Sequence, residues 1–204
     1  MFAGAAAVMQ AVESQTVILY HTDLADQWPE GGGQALATQL PYLKRLSVAS
    51  GSAAAHASLA GIALALRALA AALGRPVPVA ELVFAPDAKP RLDAATAVDF
   101  SIAHSGNLVG CAALRGAQVG FDLEQGTEAH LDSWVAREAV VKAAGLGVRA
   151  MNEVVLNPGG ARCRGARWYG RRLASFPGAT ACLMTSVEVA AVELRALTLA
   201  DLFS

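Results

Sequence analysis

The chain has little charge, few aromatic residues and hardly any cysteine. Charged residues make up 16% of its 204 positions and balance to a formal net charge of −1. A chain so nearly neutral sets up no global field, which argues against attraction to nucleic acid or to an anionic membrane. The three cysteines, Cys111, Cys163 and Cys182, are odd in number, far apart and without metal-ligand spacing. They predict buried thiols in a reducing cytoplasm and no disulfide framework. A long hydrophobic run is missing too. The opening stretch MFAGAAAVMQAV has no basic leader and meets Glu13 early, so it reads as a frayed start and not as a targeting signal. Residues 60–73 are apolar but interrupted by Arg67, and they fall short of the roughly 20 residues that cross a bilayer. There is no short tandem repeat.

What is present is apolar. Hydrophobic residues make up 54% of the chain, enough for one large domain or two small halves packed together. A first strand is predicted over 16–21, rich in β-branched and aromatic residues, and a loop at Pro29–Gly33 follows. A helix over 35–46 is expected to break near Pro41. The next helix, 53–73, begins after a capping Ser52 and stops at Gly74 with Pro76 behind it. Short strands are expected over 81–85 and in the pair within 99–114. After Gly147 the content turns strand-like over 153–156, 166–172, 180–187 and 189–194. The sequence pattern alone gives an α+β fold, with a rough echo of strand, long helix and strands in each half.

The most informative stretch is 119–147, VGFDLEQGTEAHLDSWVAREAVVKAAGLG. In a strand over 119–124, Asp122 and Glu124 are two apart and project from one face. A helix is predicted over 134–144, capped by Asp132 or Ser133 and ended by Gly145 and Gly147. On it Glu138 and Lys142 are four apart and share a face. Three carboxylates able to converge beside a lysine suit a hard divalent cation and a phosphate-bearing substrate.

These residues resemble the motifs of the 4′-phosphopantetheinyl transferases, in particular the surfactin-synthetase-activating type. That family carries V-G-[IV]-D-[IVL]-E followed by W-x-x-K-E-[AS]-x-x-K-x-x-G. Here stand Val119, Gly120, Phe121, Asp122, Leu123 and Glu124, then Trp134, Arg137, Glu138, Ala139, Lys142 and Gly145. Upstream, Ala55–Gly61 is similar to the family's A-H-R-[ST]-L-x-G, with His56 and Ser58 kept and Ala57 in place of arginine. Lys89 and Pro90 match G-K-P, with Ala88 for the glycine. Phe100, Ser101, Ile102, His104 and Ser105 match the F-[NS]-[LI]-S-H-[ST] pattern, with Ala103 for its second serine. The family usually places several dozen residues between its two main motifs. Here 125–133 is all there is, a compact form.

The resemblance implies a pseudo-dimer of two similar α+β halves, 1–116 and 117–204, forming one pseudo-twofold unit with coenzyme A in the cleft between them. It implies transfer of the 4′-phosphopantetheine arm of coenzyme A to a serine of an apo acyl or peptidyl carrier protein, with release of 3′,5′-ADP, as in fatty-acid, polyketide or nonribosomal peptide synthesis. Asp122, Glu124 and Glu138 are then the ligands of Mg²⁺ (or Mn²⁺). Glu138, or a water it orients, is the base, with Lys142 and His104 neutralising phosphate oxygens. Coenzyme A contacts are expected from Lys44, Arg45, Ser58, Lys89, Pro90, His104 and Lys142. The protein is expected to act as a cytoplasmic monomer. The basic residues Arg162, Arg164, Arg167, Arg171 and Arg172 are a candidate docking patch for an acidic carrier protein. Two rival readings are a catalytically decayed paralogue that only binds coenzyme A or a carrier protein, and a metal-dependent phosphohydrolase using the same acids.

Overall fold

The structure, a computed structural model, describes residues 15–85, 88–93 and 97–204. The frayed start expected over the first dozen residues lies outside them, as does Asp87 of the lysine-proline loop. In chain order the elements are β1 (Thr16–Asp23), α1 (Gln34–Gln39), α2 (Tyr42–Val48), α3 (Ala53–Leu73), β2 (Leu82–Val83), β3 (Arg91–Leu92), β4 (Val98–Ser105), β5 (Leu108–Arg115) and β6 (Val119–Gln125). They continue with α4 (Ala129–Ala143), β7 (Val155–Asn157), β8 (Gly160–Cys163), β9 (Ala166–Arg172), β10 (Ala179–Thr185), β11 (Ala191–Ala196) and α5 (Leu199–Leu202). The fold is α+β, as expected.

Two sheets hold it together, ordered β11-β1-β5-β4 and β6-β10-β9-β8-β7. Each is built the same way: a strand, a helix, then an antiparallel pair whose last member lies beside the first strand. That gives β1-β5-β4 around α3 and β6-β10-β9 around α4. The alternation of side chains assigns the layers. Val17, Leu19, Ala112 and Leu114 of the first sheet meet Phe121, Leu123, Ala181 and Leu183 of the second in a core between the sheets. Tyr20, Phe100 and Val109 face α3 on one outer side, and Cys182 and Met184 face α4 on the other. The order of layers is therefore helix, sheet, sheet, helix. The closing strand β11 leaves the second half and pairs in parallel with β1, Thr16 opposite Ala191.

Helix α3 has the bounds its caps predict. Ser52 Oγ accepts the Ala55 N–H at 3.2 Å, and Gly74 ends the helix at φ 69°. At 21 residues α3 is longer than the run that stood out in the sequence, and by length and composition alone it is long and apolar enough to cross a membrane. Here it packs on β1, β4 and β5, with 56% of its most apolar window buried within the fold. All three cysteines are buried and unpaired, and burial pushes the thiol of Cys182 up to about 12.

Several elements differ from expectation. α4 begins at Ala129, one and a half turns before Trp134, and its N-cap Glu128 makes no side-chain cap bond. Asp132 lies in the first turn, and Ser133 bonds back to the His130 carbonyl. Gly126, at φ 117°, turns the chain so tightly after β6 that the helix can start at once. The strand expected over 81–85 shrinks to β2 behind a 3-10 turn at Val79–Glu81. Glu153 belongs to another 3-10 turn, Val148–Glu153, and β8 was not anticipated at all.

Candidate metal centre and cleft

The centre is built where α4 crosses β6. Gly120 faces the helix, and a Cβ there would fall on the carbonyl oxygen of Ala139 and crowd the amide of Ala143. Backbone thus rests on backbone, which only glycine permits. Asp122 and Glu124 continue along the same face of β6, while Glu138 and Lys142 flank the contact on α4. The two pairs expected separately on strand and helix therefore meet. One oxygen from each of Asp122, Glu124 and Glu138 lies within 4.8 Å of the others. Lys142 Nζ donates to Asp122 Oδ1 at 2.6 Å and stands 3.3 Å from Glu138 Oε1.

Asp122 is 3% exposed, and its Oδ2 has no hydrogen-bond partner. Burial pushes its carboxyl up to about 7, against the pull of the Lys142 ammonium, with Glu138 and Glu124 adding to the rise. A buried, unsatisfied carboxylate oxygen among two further carboxylates fits a hard divalent cation, which takes oxygen donors and removes the cost of burial.

Ser105 holds Glu124, a role the sequence reading did not give it. Its Oγ donates to Glu124 Oε2 at 2.6 Å and accepts from the Gln125 amide at 3.0 Å. Ser105 is one of three β4 residues that bond across a seam to β6. Asp99 Oδ2 accepts the Val119 N–H at 2.8 Å, and Ser101 Oγ donates to the Phe121 carbonyl at 3.4 Å. Side chains of one edge strand thus grip the backbone of the other, in place of a backbone ladder, and fix the acid-bearing strand against the first sheet. An adjacent Ser and His at a strand end was the available signal, since neighbouring residues point to opposite faces.

Lys89 completes the seam. Its Nζ donates to both Asp99 carboxylate oxygens, at 2.8 and 2.7 Å, and to the Val119 carbonyl at 2.7 Å. Lys89 and Pro90 line the cleft, but the ammonium is engaged by protein groups. His104 is exposed at the end of β4. Partial burial and the nearby Lys142 ammonium hold its imidazole below the usual value, with Glu124 opposing.

The remaining expected ligands are more scattered. Lys44 stands 5.8 Å over the Phe84 ring and adds its charge to the field at His104, while Arg45 is exposed. Ser58 is half-buried on α3, and His56 stacks on Trp28 at 4.4 Å. Arg137, which stands at the position of the motif's first lysine, donates to the carbonyls of Met151 and Val154. It fastens the 3-10 turn to α4. Of the five arginines expected as a docking patch, Arg162 lies opposite Arg167 across β8 and β9, Arg167 also lies over Tyr169, Arg164 pairs with Glu153, Arg172 with Asp132, and Arg171 reaches the Val189 carbonyl.

A cleft of about 1050 Å³ opens beside the acids, with Lys89, Pro90 and Ile102 on one wall and Glu138, Lys142 and Arg149 on the other. Its volume suits an extended organic ligand. A scan against protein-family models found no match to this chain, and a search of curated proteins found none either.

Proposed function

We propose that this chain transfers the 4′-phosphopantetheine arm of coenzyme A to a serine of an apo acyl or peptidyl carrier protein and releases 3′,5′-ADP. The observation that carries this reading is the convergence of Asp122, Glu124 and Glu138 beside Lys142, with Glu138 and Lys142 lining a cleft between two similarly built halves. The motif resemblance supplies the identity of donor and acceptor. The repeated strand, helix and antiparallel pair supports a pseudo-dimer of halves 1–116 and 117–204, the architecture of the 4′-phosphopantetheinyl transferases.

Asp122, Glu124 and Glu138 are the residues that would hold Mg²⁺ or Mn²⁺, and the ion when bound supplies Lewis-acid neutralisation of the coenzyme A diphosphate. The carrier serine Oγ attacks the β-phosphorus, and its proton passes to Glu138 or to a water that Glu138 orients. As the new O–P bond forms, the bond to 3′,5′-ADP breaks, and Lys142 and His104 donate to the phosphate oxygens that gain charge. Lys44, Arg45 and Ser58 remain candidate contacts for coenzyme A. For Lys89 the bonds to Asp99 and Val119 favour a wall-building role beside Pro90.

Intact-protein mass spectrometry tests the reaction. An apo carrier protein incubated with this chain, coenzyme A and Mg²⁺ should gain one phosphopantetheine arm, and EDTA should abolish the gain. One observation favours a second reading: only residues 126–128 connect β6 to α4, which leaves little surface there for a protein substrate. A folded chain that binds coenzyme A but modifies none of a panel of carrier proteins would establish that binding-only reading. Release of nucleotide without any carrier protein would instead establish a phosphohydrolase.

A further inference from the structure

The strand that carries two of the acids is gripped at both ends, and the grip keeps a fixed step. Asp99 accepts the Val119 N–H, Ser101 donates to the Phe121 carbonyl, and Ser105 accepts the Gln125 N–H. In each pair the two residues are 20 apart in the chain. β4 and β6 therefore run side by side in one direction and in register, joined by side chains and not by a backbone ladder. The same step sets Ala103 opposite Leu123, and both belong to the core between the sheets. On its other edge β6 pairs with β10, Val119 opposite Thr185 and Gln125 opposite Ala179.

The grip at Val119 is charged and double. Asp99 Oδ2 accepts its N–H at 2.8 Å, and Lys89 Nζ donates to its carbonyl at 2.7 Å. Asp99 and Lys89 are also bound to each other, at 2.8 and 2.7 Å. The pair thus stands in for one residue of a neighbouring strand, which would exchange the same two bonds. Asp99 Oδ1 accepts the Phe100 N–H at 2.9 Å as well, which ties the carboxylate to its own strand. All three protons of the Lys89 ammonium go to protein oxygens, so it has no donor left over. Val119 directly precedes Gly120, where β6 touches the backbone of α4. A slip of one residue there would turn Asp122 and Glu124 to the opposite face, away from Glu138.

We infer that Asp99, with Lys89 as its counterion, is a positioning residue of the acid centre. It fixes the first residue of β6 against the first half and so holds Asp122 within reach of Glu138. Ser105 does the same for Glu124 at the other end of the strand. This role rests on the metal site proposed above, and it replaces the coenzyme A contact that the motif implies for Lys89.

The test is calorimetric titration of the full chain with Mg²⁺ alone, beside titration with coenzyme A at saturating Mg²⁺. Asp99→Ala should weaken Mg²⁺ binding by about tenfold, the low end for residues that orient a metal ligand. Asp99→Asn keeps an oxygen for the Val119 N–H and should recover part of that loss, and it serves if Asp99→Ala does not fold. Lys89→Met should weaken Mg²⁺ binding and leave coenzyme A binding as in the wild type. Ser52→Ala removes the cap of α3 and touches nothing in the seam. It should lower Tm and leave Mg²⁺ binding unchanged, which separates positioning from a general loss of stability. Wild-type Mg²⁺ binding in the Asp99 variants would overturn the role, as would an equal loss in Ser52→Ala. So would a Lys89→Met chain that binds Mg²⁺ normally and coenzyme A poorly, since Lys89 would then be a ligand contact. A wild type that binds no Mg²⁺ would instead overturn the metal site beneath the proposed function, a distinguishable result.

Discussion

The two halves share one plan and put it to opposite uses. In the first, α3 lies on β1, β4 and β5 through an apolar face, with Ala55, Leu59, Ile62 and Leu69 buried beneath it. In the second, α4 lies on β6 and β10, and the corresponding contact carries Asp122, Glu124, Glu138 and Lys142. Each crossing has its glycine. Gly61 of α3 approaches Ile102 on β4, and Gly120 of β6 approaches the backbone of α4. The difference teaches that the strand-helix crossing is a stable platform whatever it carries. What the second crossing adds is two strand positions and two helix positions of charge, set beside that close approach and at the edge of the cleft.

The largest way to break the contrast is to remove charge from the second crossing. Glu138→Gln and Asp122→Ala should each cut transfer by roughly a thousandfold or more, the scale of lost electrostatic stabilisation at a reacting phosphate, with circular dichroism unchanged. Substantial turnover by either variant would refute the site. The glycines sharpen the comparison next. Gly120→Ala sets a methyl against main chain that cannot rotate away, and should lose about 1–3 kcal/mol of stability in urea unfolding. Gly61→Ala meets side chains alone, most closely the Ile102 Cγ2 at 2.7 Å, and a side chain can turn, so its loss should be clearly smaller. Equal losses would show that the two crossings are not packed differently. Ser105→Ala should leave the fold alone and weaken Mg²⁺ binding by about tenfold, as for other residues that orient a metal ligand.

The smallest effect is in pH. Asp122 titrates near 7 in the folded chain and at the ordinary carboxylate value when unfolded. Between those values the folded state binds the extra proton, so without metal the chain loses stability as pH rises from about 4 to about 7. A divalent cation, which needs the ionised form, should reverse the trend. The rise in Tm on adding Mg²⁺ should therefore be greater at pH 8 than at pH 6, and Asp122→Asn should abolish the difference. An identical Mg²⁺ shift at both pH values would remove Asp122 from the centre.

Much of the site was legible because it is written in local periodicity. Asp122 and Glu124 are two apart on a strand, Glu138 and Lys142 four apart on a helix, and both spacings survive folding unchanged. The caps of α3 were legible for the same reason, since Ser52 and Gly74 act on their own neighbours. What escaped is non-local. Lys89 reads as a presented cation until the fold brings Asp99 and Val119 to it. Arg137 reads only as a match to the motif's first lysine until the 3-10 turn offers it two carbonyls. The start of α4 was missed because Glu128 caps with backbone alone, and β8 because four residues beginning with glycine carry little strand signal.

The parallel pairing of β11 with β1 has a consequence for the order of assembly. The first sheet stays one strand short until 191–196 have been synthesised, so a nascent chain can shape the second sheet before the first is finished. The partner that covers the outer edge of β1 follows every strand of the second sheet, and closing so long a loop is slow. Cutting the chain before Ala191 should therefore strip the half that is made first. The acid-bearing sheet, made later, would keep all five of its strands.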